Sequence, residues 1–261
     1  LEFKPSIKFK DFNAKFWSDY STWLVDRFHL ADSTIKGHAK VIKQVLREAQ
    51  SDDYEVANDY RNFKWHDNRV QPFWLTWDEV SKIETAYCRN KTDEFVRDLF
   101  IFACNTGLRI SDSVKLKKED VHIRKDGVVI ARINSQKTRE DYNIQLNNKA
   151  YSILKKYNFN FDKLHKNTHC SYIKRISRSV IEGQYKQVYY SGNQRKETIK
   201  PRYKMIGNHT ARRSFGRYWI DKGGSIHKLS RVLGHKDIKT TQLYIGYMPN
   251  EIIDEYGKVF G

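Results

Sequence analysis

Apolar positions between residues 12 and 50 recur every three or four places, the spacing of one face of a helix. In "FNAKFWSDYSTWLVDR" the stripe is Phe12, Phe16, Tyr20, Trp23 and Leu24. The run "DSTIKGHAKVIKQVLREAQ" opens on the capping residues Asp32 to Thr34 and continues through Ile35, Ala39, Ile42, Val45 and Leu46, which predicts a second helix. The next stretch, "SDDYEVANDYRNFKWHDNRVQP", is polar and keeps no period. We place a linker here, near Asp67 to Pro72. The chain then divides into a helical unit over 1–68, a linker over 69–74 and a larger unit over 75–261.

The second unit starts at "LTWDEV", where Thr76 and Glu79 have the spacing of a capping box and Leu75 and Val80 that of a hydrophobic staple. "DEFVRDLFIFAC" is apolar on most sides and predicts a buried helix, broken by Asn105, Thr106 and Gly107, with a new helix near Arg109. After Val121 the period falls to two. Asp126-Gly127 is a hairpin turn signal between β-branched runs, and a second turn at "SQKTRED" leads to a third short strand. From Asn148 the helical period returns. It is interrupted by the Tyr- and Lys-rich stretch 183–208, which holds a turn at Ser191 to Asn193 and reads as another hairpin. The pattern gives a mainly α fold with a small antiparallel β-sheet.

Charge changes the picture. Lys and Arg number 48 against 31 Asp and Glu, a net charge of +17 spread along the 261 residues. An excess of that size is the footprint of a polyanion-binding face, nucleic acid above all. The three cysteines lie far apart without a CxxC pair, which argues against a disulfide framework or a structural zinc site and for a reducing cytoplasm. No apolar run reaches the length of a membrane span, and the first residues lack signal-peptide shape. The chain starts at Leu1 rather than methionine, as a fragment of a longer protein would.

Four short segments carry candidate chemistry. "TGLRISD" puts Arg109 after a glycine at a helix start, with Asp112 three places on; alone, this is an ordinary surface ion pair. "HTARRSF" puts His209 and Arg212 one helical turn apart, where an imidazole and a guanidinium can share a phosphate; a basic helix face is equally ordinary. "SQKT" puts Lys137 at a hairpin tip, and "LGHKD" puts His235 after a helix-ending glycine. Tyr244 follows on a short helix. A phenol with a pKa of about 10 is a poor nucleophile unaided. Two arginines, a lysine and two histidines around a phosphodiester would stabilise charge and manage protons. The carboxylate cluster that metal-dependent phosphoryl transfer needs has no motif in this chain.

The order Arg, Lys, His-x-x-Arg, His, Tyr resembles the tyrosine recombinase family, of the phage-integrase and Xer type. The matching stretches are "NTGLRISDSVKL", "INSQKTREDYNIQL", "HTARRSFGRYW" and "LGHKDIKTTQLYI". The helices before residue 68 look like that family's core-binding domain, and residues 75–250 like its catalytic domain. The resemblance implies a two-domain clamp on duplex DNA and a site-specific recombinase or integrase that integrates or excises a mobile element in a bacterial host. It implies that Tyr244 attacks the scissile phosphate to form a 3′-phosphotyrosyl link, and that Arg109 and Arg212 clamp the phosphate. Lys137 protonates the leaving oxygen, His209 and His235 hydrogen-bond the phosphate, and Asp112 steadies Arg109. No cofactor, metal or ATP is implied. The implied partners are recombination sites in double-stranded DNA, a homo-tetramer on two duplexes, and accessory DNA-bending proteins. Two rival functions stay open: a DNA-binding regulator that never cleaves, and a type IB topoisomerase. The tail after Pro249 has Ile252, Ile253, Tyr256, Val259 and Phe260 on one helical face, and is expected to dock on its own catalytic domain or on a neighbouring protomer.

Overall fold

The structure is a computed structural model that describes residues 3–62, 70–134, 141–161 and 166–246. The turn carrying Lys137, residues 63–69 at the start of the expected linker, and the C-terminal tail lie outside the described residues. In chain order the elements are α1 (Ala14–Phe28), α2 (Asp32–Ser51), α3 (Trp77–Glu84), α4 (Lys91–Thr106) and α5 (Ile110–Ser113). There follow β1 (Val121–Ile123), β2 (Val129–Asn134), β3 (Asp141–Leu146), α6 (Asn148–Lys156) and α7 (Lys166–Ser177). The chain continues with β4 (Gln184–Ser191), β5 (Gln194–Pro201), α8 (Asn208–Asp221), α9 (Ile226–Val232) and α10 (Ile238–Ile245). The mainly helical fold with small antiparallel sheets is the one expected.

Two compact units emerge: Leu1–Val70 with Lys186–Ile199, and Gln71–Tyr185 with Lys200–Gly261. In the first, the Asn13 side chain caps α1 by accepting from the Phe16 amide at 3.0 Å. The core gathers Phe16 and Trp17 of α1 with Ala39, Leu46 and Ala49 of α2 and Tyr60 beyond them. Val45, placed on the apolar stripe by spacing, is instead 48% exposed, since the buried stripe runs one step over through Leu46 and Ala49.

Asp32 also departs from expectation. Ala31 is the N-cap of α2 and makes no side-chain cap. The Asp32 carboxylate instead accepts from the amides of Gly192 at 2.7 Å and Asn193 at 3.0 Å, while the Ser191 hydroxyl donates to the Leu30 carbonyl at 2.9 Å. Gly192 and Asn193 both have φ of 61°, the paired left-handed geometry of a tight hairpin turn, which glycine and asparagine tolerate best. The hairpin read from the Tyr- and Lys-rich stretch is therefore present, its tip held by a carboxylate.

The second unit is built on α4. Leu99 through Cys104 are all buried, so this helix has no solvent stripe to spare. The capping box of α3 forms as expected: Glu79 N donates to Thr76 Oγ1 at 3.2 Å, and Thr76 N to Glu79 Oε2 at 2.9 Å. Strands β1, β2 and β3 form an antiparallel sheet in that order, with Asn134 opposite Asp141 at the end of the β2–β3 pair. Ala131, Ile133, Ile144 and Leu146 face the core from its inner side. A smaller cluster of Leu229, Leu233 and Ile245, with Phe215, Trp219 and Tyr244 against it, joins α8, α9 and α10.

Replacing Asp32 by alanine orphans both turn amides. Asp32→Ala is expected to lower the stability of the first unit by about 1–2 kcal/mol. Amide exchange at Gly192 and Asn193 should accelerate, while the amides of α4 keep wild-type protection; unchanged exchange at the turn would contradict this.

Candidate active site

Gly107 ends α4 in the left-handed region at φ 69°. A Cβ there would lie 2.6 Å from the Phe215 ring, so both conformation and space demand glycine. The corner frees the Gly107 carbonyl, which accepts from Arg212 Nη1 at 2.8 Å. Two residues on, Arg109 caps the four-residue α5. Its Nη1 approaches Asp112 Oδ2 at 3.4 Å, with the arginine side chain 13% exposed and the aspartate 2%. The expected pair forms, at the mouth of a site rather than on open surface.

Arg212 is 1% exposed on α8. Burying a guanidinium is costly unless its donors are satisfied. Here Nη2 donates to the Leu233 carbonyl and lies 3.2 Å from His235 Nε2. Burial, then the neighbouring positive charge of Arg109, pulls its pKa below the usual guanidinium value. Among the described residues the acceptors are backbone carbonyls and an imidazole, so no bonded carboxylate there compensates the charge. The first turn of α8 holds no acidic residue to match the positive end of its dipole. It carries His209, Arg212 and Arg213 in its opening residues, and this favours an anion there.

His235 lies beyond Gly234, which ends the α9 turn at φ 58°. Its Nδ1 is 2.9 Å from the hydroxyl of Thr241, a fully buried residue on α10. With Nε2 facing an arginine donor, the consistent assignment puts the ring proton on Nδ1, donating to Thr241 Oγ1.

Tyr244 is half-buried on α10. Its hydroxyl donates to the His209 carbonyl at 3.3 Å and lies 3.4 Å from His209 Nδ1. Both distances are long for a hydroxyl bond, so the phenol is loosely held. The rings of His235 and Tyr244 meet edge-on at 5.4 Å, and the Arg213 guanidinium sits 5.4 Å over the phenol ring. Burial raises the Tyr244 pKa above 10, while Arg212, Arg213 and Arg109 act in the other direction.

Arg109, Asp112, His209, Arg212, His235 and Tyr244 thus converge, although they span positions 109 to 244. Lys137 lies outside the described residues, between the paired ends of β2 and β3. Three contributors escaped the sequence reading. Arg213 follows His209 by four places and so shares its helix face, a signal that was available. Thr241 shows only as one of several threonines. Tyr142, on β3 near Gly234, looks like any inward strand aromatic. Among the described residues no group of His, Cys, Asp and Glu is arranged to hold a metal ion.

The phage integrase family pattern matches residues 73–250, a span that contains every converging side chain, and the phage integrase SAM-like domain pattern matches residues 1–65. The chain belongs to the phage integrase family of tyrosine recombinases. Within this family it is 28% identical over 199 residues to a tyrosine recombinase of Thermosipho africanus, an overlap of 73% of this chain and 63% of that protein. It is 32% identical over 174 residues to the probable integrase/recombinase YoeC of Bacillus subtilis, covering 66% of this chain and 87% of that one. The chain thus spans under two thirds of the Thermosipho relative. Among solved structures, the Tn1549 transposon integrase in complex with transposon right end DNA superposes with a TM-score of 0.68 at 17% identity, over 98% of this chain and 88% of that one. A lambda integrase dimer bound to a core site gives 0.66 at 19% identity, over 94% and 83%. At such identities the likeness is one of fold. Among the described residues, no helix is long and apolar enough to cross a membrane.

The raised phenol pKa has a consequence for stability. Between pH 10 and the higher folded value, the unfolded chain loses the Tyr244 proton while the folded chain keeps it, so stability falls as pH rises through this window. Denaturant midpoints measured at pH 9 and pH 11 should drop further for the wild type than for Tyr244→Phe. Equal drops would mean that the phenol titrates alike in both states.

Proposed function

We propose that the chain is a site-specific DNA recombinase that cleaves and rejoins strands through Tyr244, serving integration or excision of a mobile element. The observation that carries this is the convergence of a loosely held phenol with two nearly buried arginines and two imidazoles at an acid-free helix start. Family membership, and the recombinase and integrase names of the relatives, support it.

In the proposed step the Tyr244 oxygen attacks phosphorus, a 3′-phosphotyrosyl bond forms, and the bond to the 5′ oxygen breaks. Arg109 and Arg212 face the non-bridging oxygens, where charge grows in the transition state. His209, beside the phenol oxygen, takes its proton. His235 accepts from Arg212 in the arrangement described, so its task in this step is to orient that guanidinium. Lys137 supplies the proton to the leaving 5′ oxygen, an assignment supported by its place in the family motif. The phosphotyrosyl link conserves the bond energy, so another strand's 5′-hydroxyl reverses the step. The partner is double-stranded DNA, engaged largely through phosphates by a chain of net charge +17. Pairing of two duplexes in a homo-tetramer completes the proposal, supported by the lambda integrase tetramer bound to a Holliday junction among the similar folds.

A nicked duplex that traps cleavage product should give a covalent adduct with the wild type and none with Tyr244→Phe, with duplex affinity retained in both. An adduct on the phenylalanine variant would move the nucleophile elsewhere.

Lys137→Ala should slow cleavage of an ordinary 5′-oxygen bond by about two to four orders of magnitude. A substrate with sulfur at the 5′ bridge leaves without protonation and should restore the rate. Equal defects on both substrates would make Lys137 a phosphate contact rather than an acid.

A further inference from the structure

We infer that Tyr142 is a positioning residue for Arg212: its phenol oxygen is the acceptor that squares the guanidinium to a bound phosphate. This rests on the proposed strand-cleavage function. Alternation along β3 puts Tyr142 on the inner face with Ile144 and Leu146, at the end nearest the turn that follows β2. Its ring packs under Gly234, where a Cβ would lie 3.4 Å from Cε1 and 3.8 Å from the hydroxyl. Gly234 lies between Leu233, whose carbonyl accepts from Arg212, and His235, whose ring faces the same guanidinium. Tyr142 thus supports the loop that supplies two of the Arg212 acceptors.

The hydroxyl is sealed from solvent and, among the described residues, has no partner at full hydrogen-bond geometry, although the Arg212 guanidinium lies near enough to act on it as a donor. A buried hydroxyl without a partner destabilises a fold, and phenylalanine would fill the same place without that cost. A tyrosine held there points to a state in which the oxygen is bonded. The charged groups facing it are Arg212, Asp112 and Arg109, with Arg212 exerting the largest effect of the three. Of the five N–H donors of a guanidinium, Arg212 directs three at Gly107 O, Leu233 O and His235 Nε2. Two remain. One turned onto the Tyr142 oxygen leaves the other for the anion, beside the fork of Arg109. Such bonds commonly tighten only in the liganded complex.

The test is Tyr142→Phe in the full chain, with thermal denaturation, inorganic phosphate affinity at constant ionic strength, and adduct formation on the nicked duplex read together. The variant should melt no lower than the wild type, bind phosphate about tenfold more weakly, and form adduct ten- to a hundredfold more slowly (roughly the worth of one hydrogen bond to a charged group). Duplex affinity should stay unchanged. Wild-type phosphate affinity in the variant overturns the assignment, as does a wild type that binds no phosphate. Loss of affinity together with a lowered melting point also overturns it, because the hydroxyl would then serve packing alone. If phosphate binding depends on Tyr142 while the wild type never forms adduct, the positioning role stands and strand cleavage falls.

Discussion

The second unit depends on how a nearly buried guanidinium is satisfied. Among the described residues Arg212 has no carboxylate bonded to it; its donors meet the carbonyls of Gly107 and Leu233 and the Nε2 of His235. Carbonyl dipoles meet the hydrogen-bonding demand without cancelling the charge. Asp112 is engaged by Arg109 instead. The result is a pocket whose geometry is fixed by neutral groups and whose potential stays positive, the arrangement that gains most from an incoming anion and needs least reorganisation to receive it.

That arrangement explains local features that otherwise look arbitrary. Gly107 turns left-handed to aim its carbonyl at α8, and the Phe215 ring occupies the space where its side chain would go. Gly234 turns the chain so that the carbonyl before it and the imidazole after it face the same arginine. Leu229, Leu233 and Ile245 then hold α9 and α10 to α8, which fixes where the Tyr244 backbone lies while its hydroxyl stays loosely bonded. A packed backbone with a weakly tethered phenol suits the nucleophilic role proposed for Tyr244.

Much of this was legible in the chain. The capping box at Thr76, the buried run of α4, both hairpins, and the i,i+3 pair His209–Arg212 follow from local spacing, because each rests on residues within a turn or two of one another. What escaped was set by distant partners. Asp32 looked like a cap because aspartate near a helix start usually is one; its amide partners lie 160 and 161 positions away. Tyr142 alternates like a core residue, and no local pattern says that its oxygen ends beside an arginine on another element. Val45 missed the core by one position: it neighbours Leu46 in sequence but points about 100° further round the helix, away from the buried stripe.

The hairpin turn on Asp32 bears on the order in which the protein is made. The first compact unit takes Lys186–Ile199 as well as the N-terminal helices, so it is discontinuous in the chain. A ribosome releases α1 and α2 long before the amides that Asp32 binds exist. From residue 70 to residue 199 is 129 residues, about 6–26 s of synthesis at typical rates. During that interval the nascent N-terminal helices carry a carboxylate awaiting its partners, and an expression fragment cut after residue 70 would stay in that unfinished condition.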